Sequence, residues 1–596
     1  MTLPQTVGDV TPDYSRDSLI TELGLKTLEA GYMLPEETSP QQVFARAANA
    51  WGSNPEHKQR LYEYSSKHWF GFASPVLANA GTNRGLPISC FLNSVEDSIE
   101  GISDHYKENG FLSTRGGGIG GYWGHVRHEG AKTSAGNETP GPIPFQHVVD
   151  SQMLAFYQGS TRRGAYAAYL PIDHPDIEEF IQSRNISGDP NRRNLNLHIA
   201  VCIPDSFMDA VRTGGTWSLR CPSTGNKVSE VSARHLWDEI MDARLERGEP
   251  YLYFTDTVNK SLPYEVDKLG YQVTHSNLCS EITLRSSPMD RTAVCCLSSV
   301  NAAKFLEWAP VADQFISDLM EMLDNVMQYF IDNAGPEFKW AVKTAEEERS
   351  VGLGLMGLHS YMQQQGVPFD SPQAIGMSNG ISEIIQLYAE KASVILAKQR
   401  GVPPLLREAG VERRFTHKIA IAPTANNADI AGQVSPSIEP WAANYFQKDT
   451  KAGSFSIKNP ELQKVLQELG QDAPKVWRSI LQNDGSVQHL EFLSQEQKDV
   501  FKTAFEMDQF MLVKMAAERQ KFICQAQSLN LFVPAQVSRS VMNKLHYQAW
   551  DQGVKTLYYL RSTALKRGEM ISEQAEKVER SDYNSNDGEV CIPCQG

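Results

Sequence analysis

The stretch LNLHIAVCIP, residues 195–204, indicates the fold class of this chain. It is a short apolar run closed by a proline, which is typical of a buried strand. KIAIAP at 418–423 is a second run of this kind, whereas SDLMEMLDNVMQYFIDNA at 317–334 has the apolar spacing of an amphipathic helix. Because strands that alternate with helices favour parallel pairing, we predict an α/β fold that contains parallel strands.

The chain falls into three predicted regions. Residues 1–70 alternate helical patterns with proline and glycine breaks, and Ser39 followed by Pro40 predicts a helix cap and a first-turn proline. Residues 71–571 show no internal repeat and no shift in composition, so one large α/β domain is the simplest prediction. Residues 572–596 are polar and charged before a final CIPC, and such a segment cannot offset its ordering entropy. We therefore expect a flexible C-terminal tail.

Length, composition and charge exclude several classes of protein. With 41% hydrophobic and 21% charged residues over 596 positions, the composition is that of a globular protein. The sequence has no apolar run near the roughly 20 residues that span a bilayer, and its start lacks the pattern of a secretory signal. We therefore predict a cytoplasmic protein with no membrane partner. A net charge of −15 repels polyanions, so nucleic acid is not an expected partner.

The segment HSNLCSEITL, residues 275–284, carries an amide, a thiol and a carboxylate on every second residue. If it is extended, Asn277, Cys279 and Glu281 share one face, about 6.6 to 6.8 Å apart in succession. With ordinary pKa values of about 8.5 for cysteine and 4.3 for glutamate, Cys279 is a thiol and Glu281 a carboxylate at neutral pH. The nearby negative charge disfavours a thiolate further. This argues against a nucleophilic cysteine, although His275 on the same face is a contrary feature. The alternative is a strand whose cysteine fills the core and whose glutamate faces solvent.

The remaining cysteines allow redox chemistry. Nine cysteines are too few, and odd in number, for a secreted disulfide scaffold, so thiols kept for chemistry are the better interpretation. Cys90 in GLPISC and Cys295 and Cys296 in TAVCCLSSVN can react together only if the fold joins them.

The CxxC spacing of Cys591 and Cys594 lets a local dithiol cycle with a disulfide. On a tether of about 20 residues the pair has a root-mean-square reach on the order of 25 Å and a limit of about 70 Å, so it could enter the cleft of its own domain. Half of a zinc site or a chance pair is the alternative.

These residues stand among phrases that together resemble the large subunit of ribonucleotide reductase. The phrases follow the family's order over roughly residues 70–596 and comprise a cysteine in the context SC, NLCSE, CxLS, VGLGLMGLHS (351–360), SPSIEP (435–440), QSLNLFVP (527–534), KTLYYLRS (555–562) and the terminal CxxC. Tyr558 and Tyr559 resemble the radical relay of the class I, aerobic enzymes. The resemblance implies a catalytic ten-stranded α/β barrel at 71–571 with Cys279 on an internal loop.

The resemblance also implies how the ribose is attacked. Cys279 would be oxidised transiently to a thiyl radical that removes the 3′ hydrogen of a ribonucleotide. Glu281 would act as general base on the 3′ hydroxyl, and Asn277 would hydrogen-bond and orient the sugar. A protonated thiol at position 279 suits this chemistry.

The electrons would come from two further thiols. By the same resemblance, Cys90 and Cys295 would deliver a proton and two electrons as the 2′ hydroxyl leaves as water, and would end as a disulfide. Cys591 and Cys594 would then reduce this disulfide by thiol exchange. Cys296 aligns with no functional thiol and is interpreted as structural.

Substrate phosphate is expected at KIAIAPTANNADIAG, residues 418–432, which predicts a strand, a turn and a helix start at Thr424. Amides and polar side chains at a helix N-terminus can bind phosphate without lysine or arginine. The family's loop is richer in serine and threonine, so Asn426 and Asn427 are departures from its pattern. The candidate substrate contacts are Thr424, Ala425, Asn426, Asn427, Ser74, Ser89 and Gly118.

Three charged residues match the family's specificity site, where a deoxynucleotide or ATP effector selects the substrate base. These are Asp97 in NSVEDSIEG, Arg127 in GHVRH, and Arg162 in GSTRRGAY, which would link the two sites. Solvated surface charge is the alternative. Many members also carry an N-terminal ATP-binding domain, for which residues 1–70 leave little room. We predict no dATP shut-off, and an inhibitory dATP site in residues 1–70 would contradict this.

The resemblance implies partners rather than a bound metal or cofactor. A separate ferritin-like, metal-containing subunit would supply the radical, thioredoxin or a glutaredoxin-like protein would regenerate the tail, and the chain would form an effector-dependent homodimer. Two alternatives remain. One is an adenosylcobalamin-dependent reductase of the same family, from which the tyrosine pair distinguishes this chain. The other is a non-catalytic nucleotide-binding or zinc-binding protein.

Overall fold

The computed structural model describes residues 3–158, 162–450 and 453–563, with only the backbone described at 157–158, 162–163 and 449–450. The predicted tail and its thiols, Cys591 and Cys594, lie outside the described residues. In the described part of the chain, no helix has both the length and the apolar character needed to cross a bilayer.

Helices are the commonest regular element of the described chain. The α-helices are α1 Glu22–Gly31, α2 Pro40–Trp51, α3 Pro55–Ser66, α4 Ser74–Ala78, α5 Ile99–Thr114, α6 Pro142–Ala155, α7 Ile177–Gln182, α8 Asp205–Thr213, α9 Ala233–Arg247, α10 Thr255–Lys260, α11 Tyr264–Lys268, α12 Phe305–Trp308, α13 Ala312–Asn333, α14 Lys339–Glu348, α15 Leu358–Gln364, α16 Pro372–Arg400, α17 Pro404–Ala409, α18 Ala425–Ile430, α19 Pro460–Glu468, α20 Pro474–Gln482, α21 Gln495–Val500, α22 Gln509–Gln520 and α23 Arg539–Asp551. Short 3-10 helices cover Tyr14–Leu19, Pro190–Arg192, Ala302–Lys304, Ala309–Val311 and Pro336–Phe338.

The strands are shorter and lie between the helices. They are β1 Phe70–Phe72, β2 Cys90–Ser94, β3 Gly118–Tyr122, β4 Tyr157–Gln158, β5 Arg162–Arg163, β6 Ala165–Pro171, β7 His198–Ile203, β8 Thr216–Arg220, β9 Lys227–Ser232, β10 Tyr251–Phe254, β11 Ala293–Asn301, β12 Val351–Met356, β13 Tyr445–Thr450, β14 Gly453–Lys458, β15 Leu531–Val533, β16 Thr556–Leu557 and β17 Leu560–Ser562. The predicted strand at 195–204 and the predicted helix at 317–334 are confirmed as β7 and α13.

The largest sheet contains nine strands of the described chain in the order β1-β11-β2-β3-β6-β7-β10-β16, with β12 also paired to β11. Neighbours from β2 to β10 are parallel, as are β11 and β12. Strand β11 runs antiparallel to β2, so two parallel blocks meet at that pair. The predicted α/β fold with parallel strands is therefore confirmed.

Two extended segments continue this sheet beyond β12. The run at 418–421 pairs with β12 through Leu353 and Ile419, and Ile421 in turn pairs with Gln527. Beyond Gln527, the Tyr558 amide donates a backbone hydrogen bond to the carbonyl of Leu529, which connects this segment to the chain next to β16. The sheet thus curls round an interior, which is the α/β barrel that the resemblance implies. Its regular strands are supplemented by these less regular segments.

Strand alternation separates the inside of the barrel from its outside. Successive side chains of a strand point to opposite faces. One buried group inside, here named the tyrosine cluster, contains Ala165, Ala167, Tyr169, Ala200, Cys202, Tyr251, Tyr253, Val258, Val273, Leu278, Tyr558 and Tyr559. A second, named the thiol cluster, contains Cys90, Leu92, Ile282, Leu284, Ala293, Cys295 and Ala420. The intervening residues of the same strands pack outward into the main core with the helices.

The helical N-terminal region is attached to the barrel through α3 and α13. Arg60 on α3 donates two hydrogen bonds, of 2.7 and 2.9 Å, to the carboxylate of Asp318 on α13. The hydroxyl of Tyr64 donates a third, of 3.0 Å, to the same carboxylate. Because Asp318 is buried, these donors stabilise its charge and fix the lead-in helices against the barrel.

Ser39 is predicted to contribute measurably to stability. It closes a capping box with Gln42 at the start of α2, and its hydroxyl also donates to Asp17. We expect Ser39→Ala to lower the free energy of unfolding by about 1 kcal/mol, because an N-cap is lost. Urea denaturation measures this difference. Ser229→Ala, at an exposed position of β9, is the control and should change stability by less than about 0.5 kcal/mol; equal losses would contradict the prediction.

Candidate active site

A tight turn inside the barrel presents the residues of NLCSE. The side-chain oxygen of Asn277 accepts hydrogen bonds from the backbone N–H groups of Glu281 and Ile282, both 3.1 Å long. Ser280, at the end of the turn, has a left-handed backbone with φ of 67°. A non-glycine residue rarely adopts this conformation, and its neighbours must hold it there. The turn is therefore maintained by its own amide side chain, whose NH₂ group is the part that can donate to a ligand.

Glycines of β3 make room for this turn. A Cβ atom at Gly120 would lie 1.9 Å from the carbonyl oxygen of Ser276, and one at Gly118 would lie 2.9 Å from the side chain of Leu278. Only glycine allows so close an approach of the turn to the strand. The glycine-rich phrase at 114–121 thus has a structural role beside the candidate site.

HSNLCSEITL is not extended as a whole: residues 278–280 turn, so Cys279 and Glu281 do not share one extended face. The turn agrees with the internal loop that the resemblance implies for Cys279. Cys279 packs against the tyrosine cluster, whereas the carboxyl group of Glu281 lies 4.0 Å from the thiol of Cys90. His275 is buried, and burial lowers its pKa to about 3, so it is neutral and offers no cation to ionise a thiol.

Cys90 and Cys295 lie directly opposite each other. They are register partners in the antiparallel pair of β2 and β11, and both are buried in the thiol cluster. Directly opposed residues in such a pair have Cβ atoms about 4.5 to 5.5 Å apart, so a small rearrangement can join the two sulfurs. The fold therefore joins two thiols that are far apart in the sequence.

Cys296 points to the other side of β11. It belongs to the main core outside the barrel, although it is as fully buried as Cys295. Alternation along the strand separates the two neighbouring thiols, one facing Cys90 and one facing the helices. This placement agrees with the structural role expected for Cys296.

Burial keeps the Cys295 thiol protonated. It raises the pKa of Cys295 well above its ordinary value, and the neighbouring Cys90 and Glu281 raise it further. The amide of Gln525 has the opposite effect on this pKa; its Nε2 atom donates to the sulfur over 3.8 Å. Cys295 is thus a protonated thiol that accepts from Gln525 and donates to the carbonyl of Cys296 over 3.8 Å.

Glu281 does not have the ordinary pKa expected from the sequence. Burial raises the pKa of its carboxyl to about 7, against opposing hydrogen bonds that include Asn277 and Ser528. The Ser528 hydroxyl lies 3.2 Å from one carboxyl oxygen and donates a 2.6 Å hydrogen bond to the carbonyl of Cys279. A carboxyl with a pKa near neutrality can both take and return a proton, as a general acid–base group requires.

Glu281 is predicted to set the pH dependence of turnover. As the pH rises through about 7, the carboxyl ionises and can accept a proton, so the rate should rise. We expect Glu281→Gln to lower kcat by about 10² to 10⁴ and to remove this step from the pH–rate profile. Glu108→Gln is the control, since Glu108 is a half-buried carboxyl whose pKa is also raised by desolvation. Retention of the step in Glu281→Gln would contradict the prediction.

The same substitution should stabilise the protein at high pH. A carboxyl whose pKa is raised in the folded state costs stability as the pH rises from its usual value of 4.5 through about 7. Above that range the cost is about 3 kcal/mol, which Gln removes. We expect Glu281→Gln to gain stability over wild type in urea denaturation at pH 8 but not at pH 4. A gain independent of pH would contradict this cause.

The tyrosine pair lies in a group of three contacting rings. Ring centroids are 4.3 Å apart for Tyr558 and Tyr559, 4.7 Å for Tyr251 and Tyr558, and 5.1 Å for Tyr251 and Tyr559. All three residues belong to the tyrosine cluster, against which Cys279 packs. The pair is therefore part of the buried aromatic packing inside the barrel, in a cluster that Cys279 also contacts.

The candidate phosphate loop follows the extended run at 418–421. Helix α18 begins at Ala425 directly after Thr424, which confirms the predicted helix start. The Thr424 hydroxyl accepts a 2.7 Å hydrogen bond from the Ser437 amide, and Asn427 packs against Gly71 of β1. The first turn of α18, including Asn426, thus stands next to the barrel wall.

The other predicted substrate contacts occupy two places. Ser89 precedes β2, with its hydroxyl 4.0 Å from the thiol of Cys90, and its carbonyl accepts a hydrogen bond from Gly118. Both are therefore beside the thiol pair. Ser74 begins α4 after β1, and its hydroxyl is 2.8 Å from that of Tyr32.

The predicted effector residues are partly brought together. Arg127 donates a 2.7 Å hydrogen bond to Asp97 in an ion pair whose side chains are 24% and 21% exposed, so both remain accessible to a ligand. Arg162 lies in β5, and its side chain is outside the described part of the structure.

The structure adds residues to which the sequence assigned no role. Ser528 contacts both Cys279 and Glu281, Gln525 contacts Cys295, and Tyr251 contacts the tyrosine pair. Ser528 lies in QSLNLFVP, a phrase that contributed to the family resemblance but assigned no role to any single residue. Tyr251 alternates with Tyr253 in YLYF, which indicates a common face of a strand.

Two groups of side chains in the described residues could hold a metal ion, and neither includes a thiol. One is His57, Asp318 and Glu321; the other is Glu178, His235 and Glu239. Asp318 already accepts the hydrogen bonds of Arg60, so its charge is compensated without a metal. Neither group contains a residue of the candidate active site.

A curled α/β barrel that holds three thiols and a carboxyl around one internal turn belongs to the thiol-dependent barrel oxidoreductases. The family description "Ribonucleotide reductase, barrel domain" matches residues 88–410 and 405–560, and "Ribonucleotide reductase, all-alpha domain" matches residues 18–85. The chain belongs to the family of ribonucleotide reductase large subunits.

Individual relatives agree with this assignment. A ribonucleoside-diphosphate reductase large-subunit homologue of Frog virus 3 (isolate Goorha) is 45% identical over 548 residues, which cover 91% of this chain and 94% of the relative. The large subunit of Invertebrate iridescent virus 3 is 38% identical over 645 residues, covering 98% and 100%. The solved class Id α subunit of Actinobacillus ureae is 35% identical, with a TM-score of 0.81 and coverage of 93% and 98%.

The assignment makes the chain an enzyme of deoxyribonucleotide synthesis. It is the catalytic subunit of a ribonucleotide reductase, and its likeness to a class I α subunit implies a small partner subunit and a ribonucleotide substrate. The predicted family, fold class and activity are thus confirmed.

Proposed function

We propose that this chain reduces ribonucleoside diphosphates to 2′-deoxyribonucleoside diphosphates by radical chemistry at Cys279. The observation that carries the proposal is the opposition of Cys90 and Cys295 across β2 and β11, with the Glu281 carboxyl 4.0 Å from Cys90. The diphosphate is proposed because relatives such as that of Invertebrate iridescent virus 3 are named ribonucleoside-diphosphate reductases.

The reaction begins on one side of the ribose. A thiyl radical at Cys279 takes the 3′ hydrogen, and the Glu281 carboxylate takes the proton of the 3′ hydroxyl. The turn of residues 277–281 supports this division, because it fixes the thiol and the carboxyl in one short segment. The NH₂ group of Asn277 donates to the sugar and orients it.

Reduction is completed by the thiol pair. Cys90 and Cys295 supply two protons and two electrons: one proton leaves with the 2′ hydroxyl as water, the other becomes the new 2′ hydrogen, and one S–S bond forms between the two sulfurs. Cys279 then returns the 3′ hydrogen and is a thiyl radical again, and Glu281 returns the proton to the 3′ oxygen. The carbon is reduced by two electrons and the two thiols are oxidised by two, so the step balances with water and a disulfide as the other products.

The thiol pair must be reduced after each turnover. Cys591 and Cys594 would exchange with the Cys90–Cys295 disulfide, and thioredoxin or a glutaredoxin-like protein would reduce the tail in turn. We propose this order because the tail pair has the spacing of a local dithiol and is tethered to the barrel.

The oxidising equivalent would enter through the aromatic rings. A separate ferritin-like, metal-containing subunit would supply it, and Tyr559 and Tyr558 would pass it to Cys279. The ring centroids of Tyr558 and Tyr559 are 4.3 Å apart, and Cys279 packs on the same cluster; both observations support this route. This chain itself would bind no metal for the reaction.

Regulation would occur at the Asp97–Arg127 pair, with Arg162 linking it to the substrate site. A deoxynucleotide or ATP there would select the base, and we expect no inhibitory dATP site within residues 1–70.

Exposed apolar side chains support a homodimer through the surface formed by α5 and α6. They lie on these helices or directly after them: Phe111, Val148, Leu154 and Phe156. Sedimentation velocity with and without a deoxynucleotide measures the association. We place the protein in the cytoplasm.

An assay of 2′-deoxynucleotide formation tests the proposal. Purified chain is mixed with its small subunit, a dithiol, an effector and a ribonucleoside di- or triphosphate. Activity that requires the small subunit supports the proposal. Activity with adenosylcobalamin and no second subunit would instead identify a cobalamin-dependent reductase. No product under any condition, with zinc bound stoichiometrically through Cys591, would identify a non-catalytic zinc protein.

A further inference from the structure

The two sulfurs of the thiol pair have different surroundings. A Cβ atom at Gly352 of β12 would lie 3.3 Å from the Cys295 sulfur, so the backbone of this strand closes one side of that thiol. Cys295 is 1% exposed, whereas Cys90 is 8% exposed and has the hydroxyl of the partly exposed Ser89 4.0 Å from its sulfur. A nucleophile therefore reaches a disulfide of this pair more readily at Cys90 than at Cys295.

The side chain of Gln525 is directed at the enclosed sulfur. Its Nε2 atom donates to the Cys295 sulfur over 3.8 Å and to the carbonyl of Val351 over 3.0 Å. The NH₂ group of an amide has two hydrogens, so one serves each contact. Gln525 is fully buried, and the proposed function gives it no role.

Backbone groups fix which end of this amide faces Cys295. The N–H of Thr283 can only donate, and it donates to the Oε1 atom of Gln525 over 3.4 Å. The carbonyl of Val351 can only accept, so the atom beside it belongs to the NH₂ group. The amide cannot turn over without breaking both hydrogen bonds. A donor is therefore held towards the Cys295 sulfur.

Thiol exchange places a negative charge on the sulfur that leaves, and this sulfur leaves faster when its thiolate is more stable. The Glu281 carboxyl is 4.0 Å from Cys90, and a negative charge there disfavours a Cys90 thiolate. Burial, Cys90 and Glu281 all raise the pKa of Cys295, whereas the hydrogen bond from Gln525 lowers it. A hydrogen bond strengthens when its acceptor is ionised, so Gln525 acts mainly on the thiolate.

We propose that thiol exchange begins at Cys90, and that Gln525 is the donor that stabilises the Cys295 thiolate as it leaves. The inference rests on the proposed function. The attacking thiol, one of the tail pair in that scheme, releases its proton to water and bonds to the Cys90 sulfur. The Cys90–Cys295 bond breaks, and its electron pair passes to Cys295, which then takes up one proton.

The second thiol of the reductant completes the exchange. It loses its proton, bonds to the first reductant sulfur and displaces Cys90, which takes up one proton in turn. The barrel is left with two thiols and the reductant with one disulfide, so two electrons and two protons have passed to the barrel pair.

Trapping of the mixed disulfide tests the point of attack. The full chain with Cys594→Ser, or with Cys591→Ser, keeps one tail thiol, which can attack the disulfide but cannot complete its reduction. One turnover with the small subunit and substrate, without external reductant, forms the Cys90–Cys295 bond. After an acid quench and alkylation, mass spectrometry should find the tail cysteine joined to Cys90 and an alkylated Cys295. A tail cysteine joined to Cys295 would overturn the inference.

Removal of the donor tests the role of Gln525. We expect Gln525→Met, which has a similar length but cannot donate, to slow reduction of the Cys90–Cys295 disulfide by dithiothreitol roughly tenfold, as for one lost hydrogen bond to a charged group. Its first turnover should stay within a few-fold of wild type, because Cys295 begins that step as a neutral thiol. Rapid quench with alkylation measures both steps, and a role in packing alone would slow both.

Gln41→Met is the matched control. Gln41 is also a fully buried glutamine, on α2 of the helical N-terminal region, and its Oε1 atom accepts a 3.0 Å hydrogen bond from the hydroxyl of Tyr62. The same exchange of side chains there should leave both the first turnover and the reduction of the disulfide unchanged.

The outcomes separate this inference from the proposed function. Reduction of Gln525→Met at the wild-type rate, or equal slowing of its first turnover, would overturn the role of Gln525 while the reductase chemistry stands. If turnover forms no Cys90–Cys295 disulfide in the unsubstituted chain, the proposed function itself fails. Should Gln525→Met not fold, the mixed disulfide formed in the presence of Gln525 decides; should no mixed disulfide accumulate, the reduction rates decide.

Discussion

Replacement of Cys279 by serine should abolish deoxynucleotide formation. A serine O–H bond is much stronger than a cysteine S–H bond, so serine cannot carry the radical that removes the 3′ hydrogen. We expect kcat to fall by at least about 10⁴-fold, which corresponds to more than about 5 kcal/mol of barrier. The measurement is product formation by the full chain with its small subunit.

The control for this variant lies in the same cluster. Cys202 is a buried cysteine of the tyrosine cluster, against which the partly buried Cys279 packs, and it has no proposed role. Cys202→Ser makes the same exchange of sulfur for oxygen beside the same cluster, so it should retain activity within a few-fold. If Cys279→Ser turned over like Cys202→Ser, the radical would not reside on Cys279 and the proposed chemistry would have to be abandoned.

The second large effect is expected for the thiol pair. Cys90→Ser or Cys295→Ser leaves one thiol, which cannot form the S–S bond that supplies two electrons. We expect steady-state turnover to fall by at least about a thousandfold, or about 4 kcal/mol. Mass spectrometry of peptides after one turnover without reductant should find a Cys90–Cys295 disulfide in wild type and none in either variant.

Cys296→Ser is the matched control for Cys295→Ser. The two residues are neighbours on β11 and are equally buried, so the cost of placing a hydroxyl in the interior is similar. They differ in the face to which they point, since Cys295 faces Cys90 and Cys296 faces the main core. Cys296→Ser should keep turnover and the disulfide. Loss of turnover in both variants to the same degree would indicate a packing role for both.

Local patterns predicted the elements that neighbouring residues control. The apolar run at 195–204 gave β7, and the amphipathic spacing at 317–334 gave α13. Ser39 and Pro40 begin α2, and Thr424 precedes α18, as cap signals predict. These features depend on side chains within about one helical turn or a few strand residues, which the sequence shows directly.

The segment HSNLCSEITL shows where a local pattern failed. Its alternation favours a strand, but Asn277 uses its side-chain oxygen to accept the amides of Glu281 and Ile282, and the chain turns. Side-chain to backbone bonds of asparagine compete with strand pairing in this way. The glycines of β3, remote in sequence, then provide the space that the turn needs.

The pKa of Glu281 could not be obtained from the sequence. An isolated glutamate beside a cysteine is expected to be ionised at neutral pH, whereas burial in the barrel raises its pKa to about 7. Desolvation depends on atoms contributed by many segments, and no spacing rule records it. The difference changes the chemistry, because it gives Glu281 a proton that it can exchange near neutral pH.

Near neighbours in the sequence were enough to predict the α/β class and the helix starts, and the motifs carried the family resemblance. The fold was needed to show that Cys90 faces Cys295, that Cys296 faces away, and that Cys279 packs on the tyrosine cluster while the Glu281 carboxyl lies near Cys90. Helix caps and strand alternation are interactions between near neighbours, whereas strand register and burial arise from contacts between distant segments.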